Sequence, residues 1–211
     1  MIRPDIKEFL NSLPKNITLV AATKYIGPED MLELLENGVN NFGENRTDSF
    51  LAKYSALQSK NAIWHFIGHL QRNKCQEVIN KIDYLHSLDS LKLAEMIDKK
   101  REKPLKCFVE VSINLEETKN GVPYYEAKNF IKELLKFKNI DLVGLMMMAV
   151  KESNENSLDQ QFVKLRMLRD EIEKEFNIQL PYLSMGMSDD YMSAIKEGAT
   201  HIRVGRILYN L

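Results

Sequence analysis

Lys24 is the residue whose type and position most strongly indicate chemistry. It ends an apolar run of β-branched and small residues, Ile17 to Thr23, which is typical of a strand buried on both faces. An ammonium at the end of such a strand is expected to lie partly out of water, which disfavours its charged form and frees the amine to attack an aldehyde. The position therefore predicts a Schiff-base lysine. The alternative is an ordinary solvated lysine at a strand end.

Two loops near the carboxyl terminus have the composition of a phosphate site. Gly186 lets the backbone approach a ligand, and Ser188 offers a hydroxyl at the start of a helix. Gly205 has no side chain and leaves the backbone amides after the last strand accessible to a ligand. Alternatively, Ser188 is a plain N-cap, and Asp189 and Asp190 complement the helix dipole. Both acids would repel an anion unless they point away from it.

Other polar residues interrupt apolar segments. Arg203 stands within an apolar strand, where an unpaired guanidinium would be costly, so we expect it to have a defined partner, which could be a core-edge salt bridge. His65 and His86 also fall in predicted strands, where a neutral, hydrogen-bonded structural histidine is the commoner outcome. Met146–Met148 is expected to fill the core or line a pocket, because methionine packs adaptably and has no acid-base chemistry.

The elements that must position these residues are short apolar runs alternating with segments of helical spacing, the pattern of a parallel sheet. The predicted strands are Thr18–Ala22, Asn40–Phe42, Ala62–Ile67, Tyr84–His86, Lys106–Val111, Asp141–Met146, Tyr182–Ser184 and Ile202–Val204. Eight units favour closure into a single α/β (β/α)8 TIM barrel over an open sheet. In such barrels the functional residues lie at the carboxyl ends of the strands, where Lys24 and the candidate loops fall.

The helical segments bound the domain. The predicted helices are Pro4–Leu13, one that begins at Pro28 and stops at Gly38, one capped by Ser90, Tyr125–Phe137 and Ser157–Phe176. The first is an extra helix ahead of the barrel. Only Arg206–Leu211 follows the eighth strand, so we expect residues 1–211 to form a single domain. The polar segment Lys151–Ser157 is predicted to be a mobile loop.

The composition excludes several classes of protein. The 211 residues are 44% hydrophobic and 28% charged, as in a globular domain, and the formal net charge of -1 gives no overall field for nucleic acid or an anionic membrane. Neither a secretory signal nor a run of the roughly 20 apolar residues that span a bilayer is present, so we expect a cytoplasmic protein. Cys75 and Cys107 lack metal-binding or redox spacing and are expected to be core thiols, with no metal site.

The motifs together resemble a known family. The most specific segment is Trp64–Lys74, which matches the family signature without a gap. The other matching segments are Ala22–Lys24, Phe42–Asn45, Gly144–Met146, Ser184–Asp189 and Arg203–Gly205. They are similar to the pyridoxal phosphate homeostasis proteins, whose barrel resembles the N-terminal domain of bacterial alanine racemase. The resemblance spans nearly the whole chain and implies pyridoxal 5′-phosphate (PLP) as the cofactor.

The resemblance also implies roles for individual residues. Lys24 would hold PLP as a Schiff base, and Ser188 with the backbone around Gly205 and Arg206 would bind the phosphate. The family often has a small hydroxyl residue where this chain has Arg206, which preserves a backbone amide but not a hydroxyl contact.

The remaining implied contacts bear on turnover. Arg203 would face the pyridine nitrogen, and Asn45 would lie beside the cofactor. The PLP electron sink is strongest when a carboxylate keeps that nitrogen protonated, so an arginine there disfavours decarboxylase and aminotransferase chemistry. A racemase would also need a second acid-base group, which related racemases take from another domain of a partner subunit.

The resemblance therefore implies a monomeric, non-enzymatic protein of PLP homeostasis. It would store the cofactor or transfer it to PLP-dependent acceptor enzymes, without efficient turnover.

Three alternatives stay open at this point. A weak amino-acid racemase would require an acid-base residue such as Tyr191 or His69 opposite Lys24. A Schiff-base aldolase would use Lys24 directly on a sugar-phosphate carbonyl. A docking protein would use the barrel only as a scaffold.

Overall fold

The computed structural model describes residues 1–58, 60–113, 120–150 and 155–209. The strands in these ranges are β1 (Thr18–Ala22), β2 (Asn41–Glu44), β3 (Ile63–Phe66), β4 (Tyr84–Leu88), β5 (Leu105–Ser112), β6 (Val122–Pro123), β7 (Ile140–Met146), β8 (Tyr182–Ser184) and β9 (His201–Val204). The α-helices there are α1 (Ile6–Ser12), α2 (Pro28–Glu36), α3 (Thr47–Leu57), α4 (Arg72–Val78), α5 (Leu91–Lys100), α6 (Ala127–Leu134), α7 (Glu155–Phe176) and α8 (Tyr191–Lys196).

All of these strands except β6 close into a parallel barrel. They follow one another in the order β4-β3-β2-β1-β9-β8-β7-β5, and a pairing of β4 with β5 completes the ring. The pairings are parallel, which requires the helical crossovers that the alternating pattern indicates. The predicted (β/α)8 barrel is confirmed, and α1 is the extra helix ahead of it.

The short strand β6 is absent from the prediction. It pairs with the carboxyl end of β5 through Val111 with Val122 and Ser112 with Pro123. A strand of two residues is too short to show an alternating pattern, so only the tertiary structure reveals it.

Local sequence signals explain the helix ends. Pro28 occupies the start of α2, and Gly38 beyond its end has a φ of 90°, a conformation that favours glycine. The Ser90 hydroxyl accepts a hydrogen bond from the Leu93 amide at 3.4 Å, which confirms the predicted cap of α5.

Several predicted bounds differ from the observed ones by one or two residues, and two predicted segments differ more. The segment predicted as a helix over 125–137 contains a 3-10 turn, Tyr124–Glu126, followed by the shorter α6. Of the predicted mobile loop, residues 151–154 lie outside the described residues, and α7 already begins at Glu155.

The main apolar core lies between the barrel and its helices. Phe42 and Trp64 point outward from β2 and β3, and Phe50 of α3 meets the Trp64 ring edge-on at 5.3 Å. Cys75 and Cys107 are free, buried thiols, as expected. No helix among the described residues is long and apolar enough to cross a membrane.

Alternate residues of the same strands point into the barrel, and there the filling is polar and aromatic. The His65 ring stacks on Tyr84 at 4.5 Å, and the His86 ring stacks on Phe108 at 4.4 Å. His201 lies against Phe108 at 5.2 Å. Branched aliphatic side chains usually fill barrels of this class, so this interior departs from the ordinary pattern.

Candidate functional site

A cavity of about 290 Å³ opens at the carboxyl ends of the barrel strands. It brings together three of the predicted site residues: Lys24 after β1, Asn45 after β2 and Arg203 near the end of β9. The other residues around it are Ala22, Gly43, Ile67, Gly68, His69, Glu110, Asn120, Met148 and Met187. Half of the twelve lining residues are polar or charged and half are apolar or glycine, so polar groups and apolar surface face one space.

Lys24 is more open to solvent than the strand pattern indicates. Strand pairing extends to Thr23, whose amide donates to the Gly43 carbonyl at 3.0 Å, and Lys24 is the first residue beyond. Lys24 is exposed, and its Nζ lies 4.7 Å from the centroid of the Tyr25 ring. The expected partial burial of this ammonium was wrong, because Lys24 already belongs to the loop at the barrel mouth.

A second lysine, absent from the prediction, supports the loops that carry Lys24 and Asn45. Lys53 of α3 is 8% exposed, and its Nζ donates to the Thr23 carbonyl at 2.6 Å and to Glu44 Oε1 at 2.5 Å. Thr23 and Glu44 immediately precede the two site residues. Lys53 thus ties the ends of β1 and β2 together from outside the barrel.

Arg203 is a deeply buried cation. It is 5% exposed, and it donates to the Ser184 carbonyl at 2.8 Å, to Ser184 Oγ at 2.6 Å and to the Met147 carbonyl at 2.8 Å. Burial lowers the pKa of the guanidinium to about 10, while Glu110 and Asp190 act in the opposite direction. Arg203 therefore stays charged at neutral pH, and its partners are neutral oxygens rather than the salt bridge that was the alternative.

The predicted phosphate loops meet beside this cavity. The Gly205 amide donates to Ser188 Oγ at 3.2 Å, which joins the loop after β8 to the turn after β9. Gly186 has a φ of 94°, and a Cβ there would lie 2.7 Å from the Ala194 Cβ, so the tight turn requires glycine. Ser188 lies in a turn two residues before Asp190, the N-cap of α8, so both the expected place of Ser188 at the start of a helix and the simple N-cap alternative were wrong.

The two acids of this loop are engaged by other groups. Asp190 Oδ1 accepts a hydrogen bond from the Met187 amide at 2.5 Å, and burial raises the pKa of this carboxyl. Asp189 Oδ2 pairs with the exposed Arg206 side chain at 2.5 Å. The Arg206 side chain thus neutralises an acid, and only the backbone of Arg206 lies beside Ser188 and Gly205.

Glu110 is a site residue that sequence reasoning missed. It is 3% exposed and lines the cavity from β5. Burial raises the pKa of its carboxyl to about 7, with Asp89 acting in the same direction and Arg203 and His69 acting against it. The available signal was a charged residue inside an apolar strand, the same signal that singled out Arg203.

The two residues suggested for acid-base work opposite Lys24 have different surroundings. His69 lines the cavity, and its Nδ1 lies 3.2 Å from Asp89 Oδ2. The Tyr191 ring packs edge-on against Phe9 at 6.0 Å, outside the set of residues that line the cavity.

Comparison with known proteins agrees with this geometry. Residues 3–211 match the family described as alanine racemase, N-terminal domain. A pyridoxal phosphate homeostasis protein of Aquifex aeolicus is 41% identical over 90% of this chain and 85% of that protein. The chain belongs to the pyridoxal phosphate homeostasis protein family. A second member, from Synechocystis, is 34% identical and covers 99% of this chain and 98% of its own.

Solved structures show the same architecture. PipY of Synechococcus elongatus, solved with PLP bound, is 28% identical and covers 97% of this chain and 98% of its own, with a TM-score of 0.90. An alanine racemase of Clostridium difficile is 19% identical, with a TM-score of 0.82, and this chain covers 57% of it. The racemase comparison shows a shared barrel fold.

Proposed function

We propose that this chain binds pyridoxal 5′-phosphate reversibly through a Schiff base on Lys24 and serves PLP homeostasis by storage or transfer, without efficient turnover. The observation that carries the proposal is the cavity in which the Lys24 amine, Asn45 and the buried Arg203 guanidinium meet. The names of the relatives and the PLP bound to PipY support the choice of cofactor.

The residues present fit this cofactor. A cavity of about 290 Å³ suits a single pyridine ring with its substituents, and Ile67, Met148 and Met187 offer apolar surface to such a ring. Lys24 supplies the amine that an aldehyde requires, and its exposure allows the bond to form and to reverse.

The loops after β8 and β9 suit the phosphate. The Gly205 amide nitrogen lies 3.2 Å from Ser188 Oγ, so a single phosphate group can contact both. The Arg206 backbone adjoins them. Asp190 and Asp189 are held by an amide and a guanidinium respectively, which removes much of their repulsion toward a phosphate.

Arg203 is the reason to expect little turnover. Bound PLP supplies an electron sink that is strongest when its ring nitrogen is protonated. A guanidinium can only donate hydrogen bonds, so a ring nitrogen that faces Arg203 must accept one and stay unprotonated. Arg203 is held by three hydrogen bonds and cannot be exchanged for a carboxylate without rebuilding the barrel mouth.

A weak amino-acid racemase is the second candidate. The observation in its favour is that His69 and Glu110 line the same cavity as Lys24, so proton-transfer groups are available beside the amine. Isotope exchange at the α-carbon of alanine by the PLP-loaded protein would support this candidate, and the variant Glu110→Gln would then test which group is responsible.

The central experiment is an absorbance spectrum of the purified, PLP-loaded protein before and after borohydride reduction. Wild type is expected to show a visible band that reduction removes while fixing the cofactor on Lys24. Lys24→Ala is expected to lose both the band and the trapped adduct. Lys92→Ala is a matched control, because Lys92 is an exposed lysine on α5, away from the cavity.

Three results would count against the proposal. Trapping on several surface lysines in equal amounts would indicate nonspecific reaction. A band that persists in Lys24→Ala would reject the assigned lysine. No band in wild type, even with added PLP, would favour the sugar-phosphate aldolase, which uses Lys24 without a cofactor.

We further infer that residues 1–211 act as one cofactor-binding domain, as a monomer in the cytoplasm, and that PLP-dependent enzymes receive the cofactor from it. Light scattering tests the monomer: a stable dimer at micromolar concentration would reject it. Transfer is tested by mixing the loaded protein with an apoenzyme and measuring whether activity returns faster than with free PLP at the same concentration.

A further inference from the structure

A continuous line of hydrogen bonds runs through the barrel interior from the far end of β2 to Arg203. His65 Nε2 lies 2.9 Å from Asn41 Oδ1, and His65 Nδ1 lies 2.9 Å from His86 Nε2. His86 Nδ1 lies 2.8 Å from Ser184 Oγ, and Arg203 donates to that same oxygen at 2.6 Å. The line joins β2, β3, β4, β8 and β9, and the proposed roles of the cofactor residues do not account for it.

The two ends determine the direction of every bond in the line. Asn41 Nδ2 donates to Asn40 Oδ1 at 2.9 Å, so Asn41 Oδ1 faces His65 as an acceptor. His65 must then donate from Nε2 and accept at Nδ1, and His86 must do the same. Ser184 therefore donates its hydroxyl proton to His86 and accepts from Arg203. Each donor meets an acceptor when both histidines are neutral.

Burial keeps the two histidines neutral. Both are fully buried, and desolvation holds the pKa of each well below its ordinary value. The charged and titratable groups that face them act in the same direction: His201 and Lys106 on His65, and His65, His201 and Arg203 on His86. The part of the line from Asn41 to Ser184 is therefore uncharged, and the Arg203 guanidinium at its end is its one charged group.

The line is not suited to moving protons. It ends at the Asn41 amide, which neither takes up nor releases a proton at ordinary pH. Its effect is instead on Ser184. Because the hydroxyl proton of Ser184 is committed to His86, the oxygen always presents a lone pair to Arg203. Without His86, that hydroxyl could rotate and turn its proton toward the guanidinium.

We propose that His86, supported by His65, is a positioning residue that holds Ser184 as an acceptor and thereby sets the orientation of the Arg203 guanidinium against the ring of a bound cofactor. A guanidinium carries five N–H groups, and the bonds to Ser184 and Met147 use three of them. Two N–H groups are left to donate to a ligand in the cavity that Arg203 lines. This proposal rests on the proposed function, since the ring that Arg203 would face is that of bound PLP.

The test compares two buried histidines of the same interior. His86→Phe keeps an aromatic ring against Phe108 but removes the acceptor for Ser184. His201→Phe is the matched control, because His201 is 3% exposed in the same cluster but bonds to Thr200 Oγ1, outside the line. The measurements are the dissociation constant for PLP, the absorbance maximum of the complex with its pH midpoint, and the melting temperature.

His86→Phe is expected to weaken PLP binding by about 3- to 10-fold, in keeping with the loss of one link in a buried network, and to shift the pH midpoint of the absorbance band. His201→Phe is expected to keep the wild-type affinity for PLP and the wild-type pH midpoint, even if its melting temperature falls as far as that of His86→Phe. Equal changes in the two variants would mean a merely structural role and would overturn the proposal, as would a wild-type spectrum and affinity in His86→Phe.

Two further measurements keep the outcome clear. If His86→Phe does not fold, Ser184→Ala breaks the same link, and Ser184→Thr restores a hydroxyl and is expected to restore the spectrum.

In the free protein, nitrogen NMR of the histidine rings is expected to show His65 and His86 neutral with the proton on Nε2, and any other state rejects the line. Failure of the wild type to bind PLP would reject the proposed function, whereas binding that is indifferent to His86 would reject only this inference.

Discussion

The two sides of the cavity are built in opposite ways. On one side, Arg203 is 5% exposed, donates three hydrogen bonds and lies at the end of a buried line of polar side chains. On the other side, Lys24 and Asn45 are exposed, and the Lys24 ammonium lies over the Tyr25 ring. The difference separates two tasks: a fixed cation can orient a ligand, while an open amine can form a bond and release it.

The positions of the two residues in their strands explain the difference. Arg203 lies inside β9 and points into the barrel, so every polar atom around it must find a partner. Lys24 lies two residues beyond the end of β1, where its side chain is exposed to solvent. Arg203 is therefore expected to contribute to folding stability, and Lys24 only to binding.

Arg203→Ala is expected to have the largest effect on stability. It removes the guanidinium donor of the Met147 carbonyl and of the Ser184 hydroxyl, and it leaves the Ser184 carbonyl with the Met147 amide alone, so we expect the free energy of unfolding to fall by about 3 kcal/mol. Urea unfolding measures this change. Arg46→Ala is the control, since its ion pair with Asp48 is exposed to solvent and its loss is expected to leave the free energy of unfolding nearly unchanged. Equal stability of Arg203→Ala and wild type would show that the buried side is not fixed.

Glu110→Gln is expected to change the pH dependence of stability. The pKa of Glu110 rises from 4.5 to about 7 on folding, so the folded protein binds this proton more tightly than the unfolded chain. The contribution of the carboxyl to stability is complete below pH 4.5 and is lost as the pH rises through 7. Glu110→Gln should therefore be more stable than wild type at pH 8 by about 3 kcal/mol, and similar to it at low pH.

Urea unfolding at several pH values between 4.5 and 8 measures this slope. Glu77→Gln on α4 provides the control, because Glu77 is half exposed in a surface pair with Lys74 and should keep the wild-type slope. A loss of stability in Glu110→Gln at pH 8 would mean that the Glu110 carboxylate stabilises the folded protein and that its burial does not destabilise it.

Lys24→Ala is expected to have the smallest effect on stability, although the proposed function predicts that it abolishes covalent cofactor binding. Lys24 is exposed, and none of the hydrogen bonds described above depends on its side chain, so the free energy of unfolding should change by about 0.5 kcal/mol or less. Urea unfolding without cofactor measures it. A loss near that of Arg203→Ala would erase the contrast between the two sides of the cavity.

Sequence reasoning predicted most of the fold and part of the site. The eight barrel strands follow from short, mainly apolar runs, because the outward side chains of each strand pack against the helices even where the inward side chains are polar or aromatic. Lys24 and Arg203 were found because a charged residue in or beside such a run is conspicuous. Glu110 carried the same signal and was missed, and the support from Lys53 has no local signal because it depends on a contact between α3 and two strand ends.

The sequence by itself determined the barrel strands and the place of Lys24, Asn45 and Arg203 at the barrel mouth, because hydrophobic period and turn chemistry are local properties. Only the tertiary structure decided that Lys24 is exposed, that Asp189 and Asp190 are engaged, and that Asn41, His65, His86 and Ser184 form one line to Arg203. The period of a strand assigns a side chain to a face, but hydrogen bonds depend on the stagger between neighbouring strands, which appears only when the barrel closes.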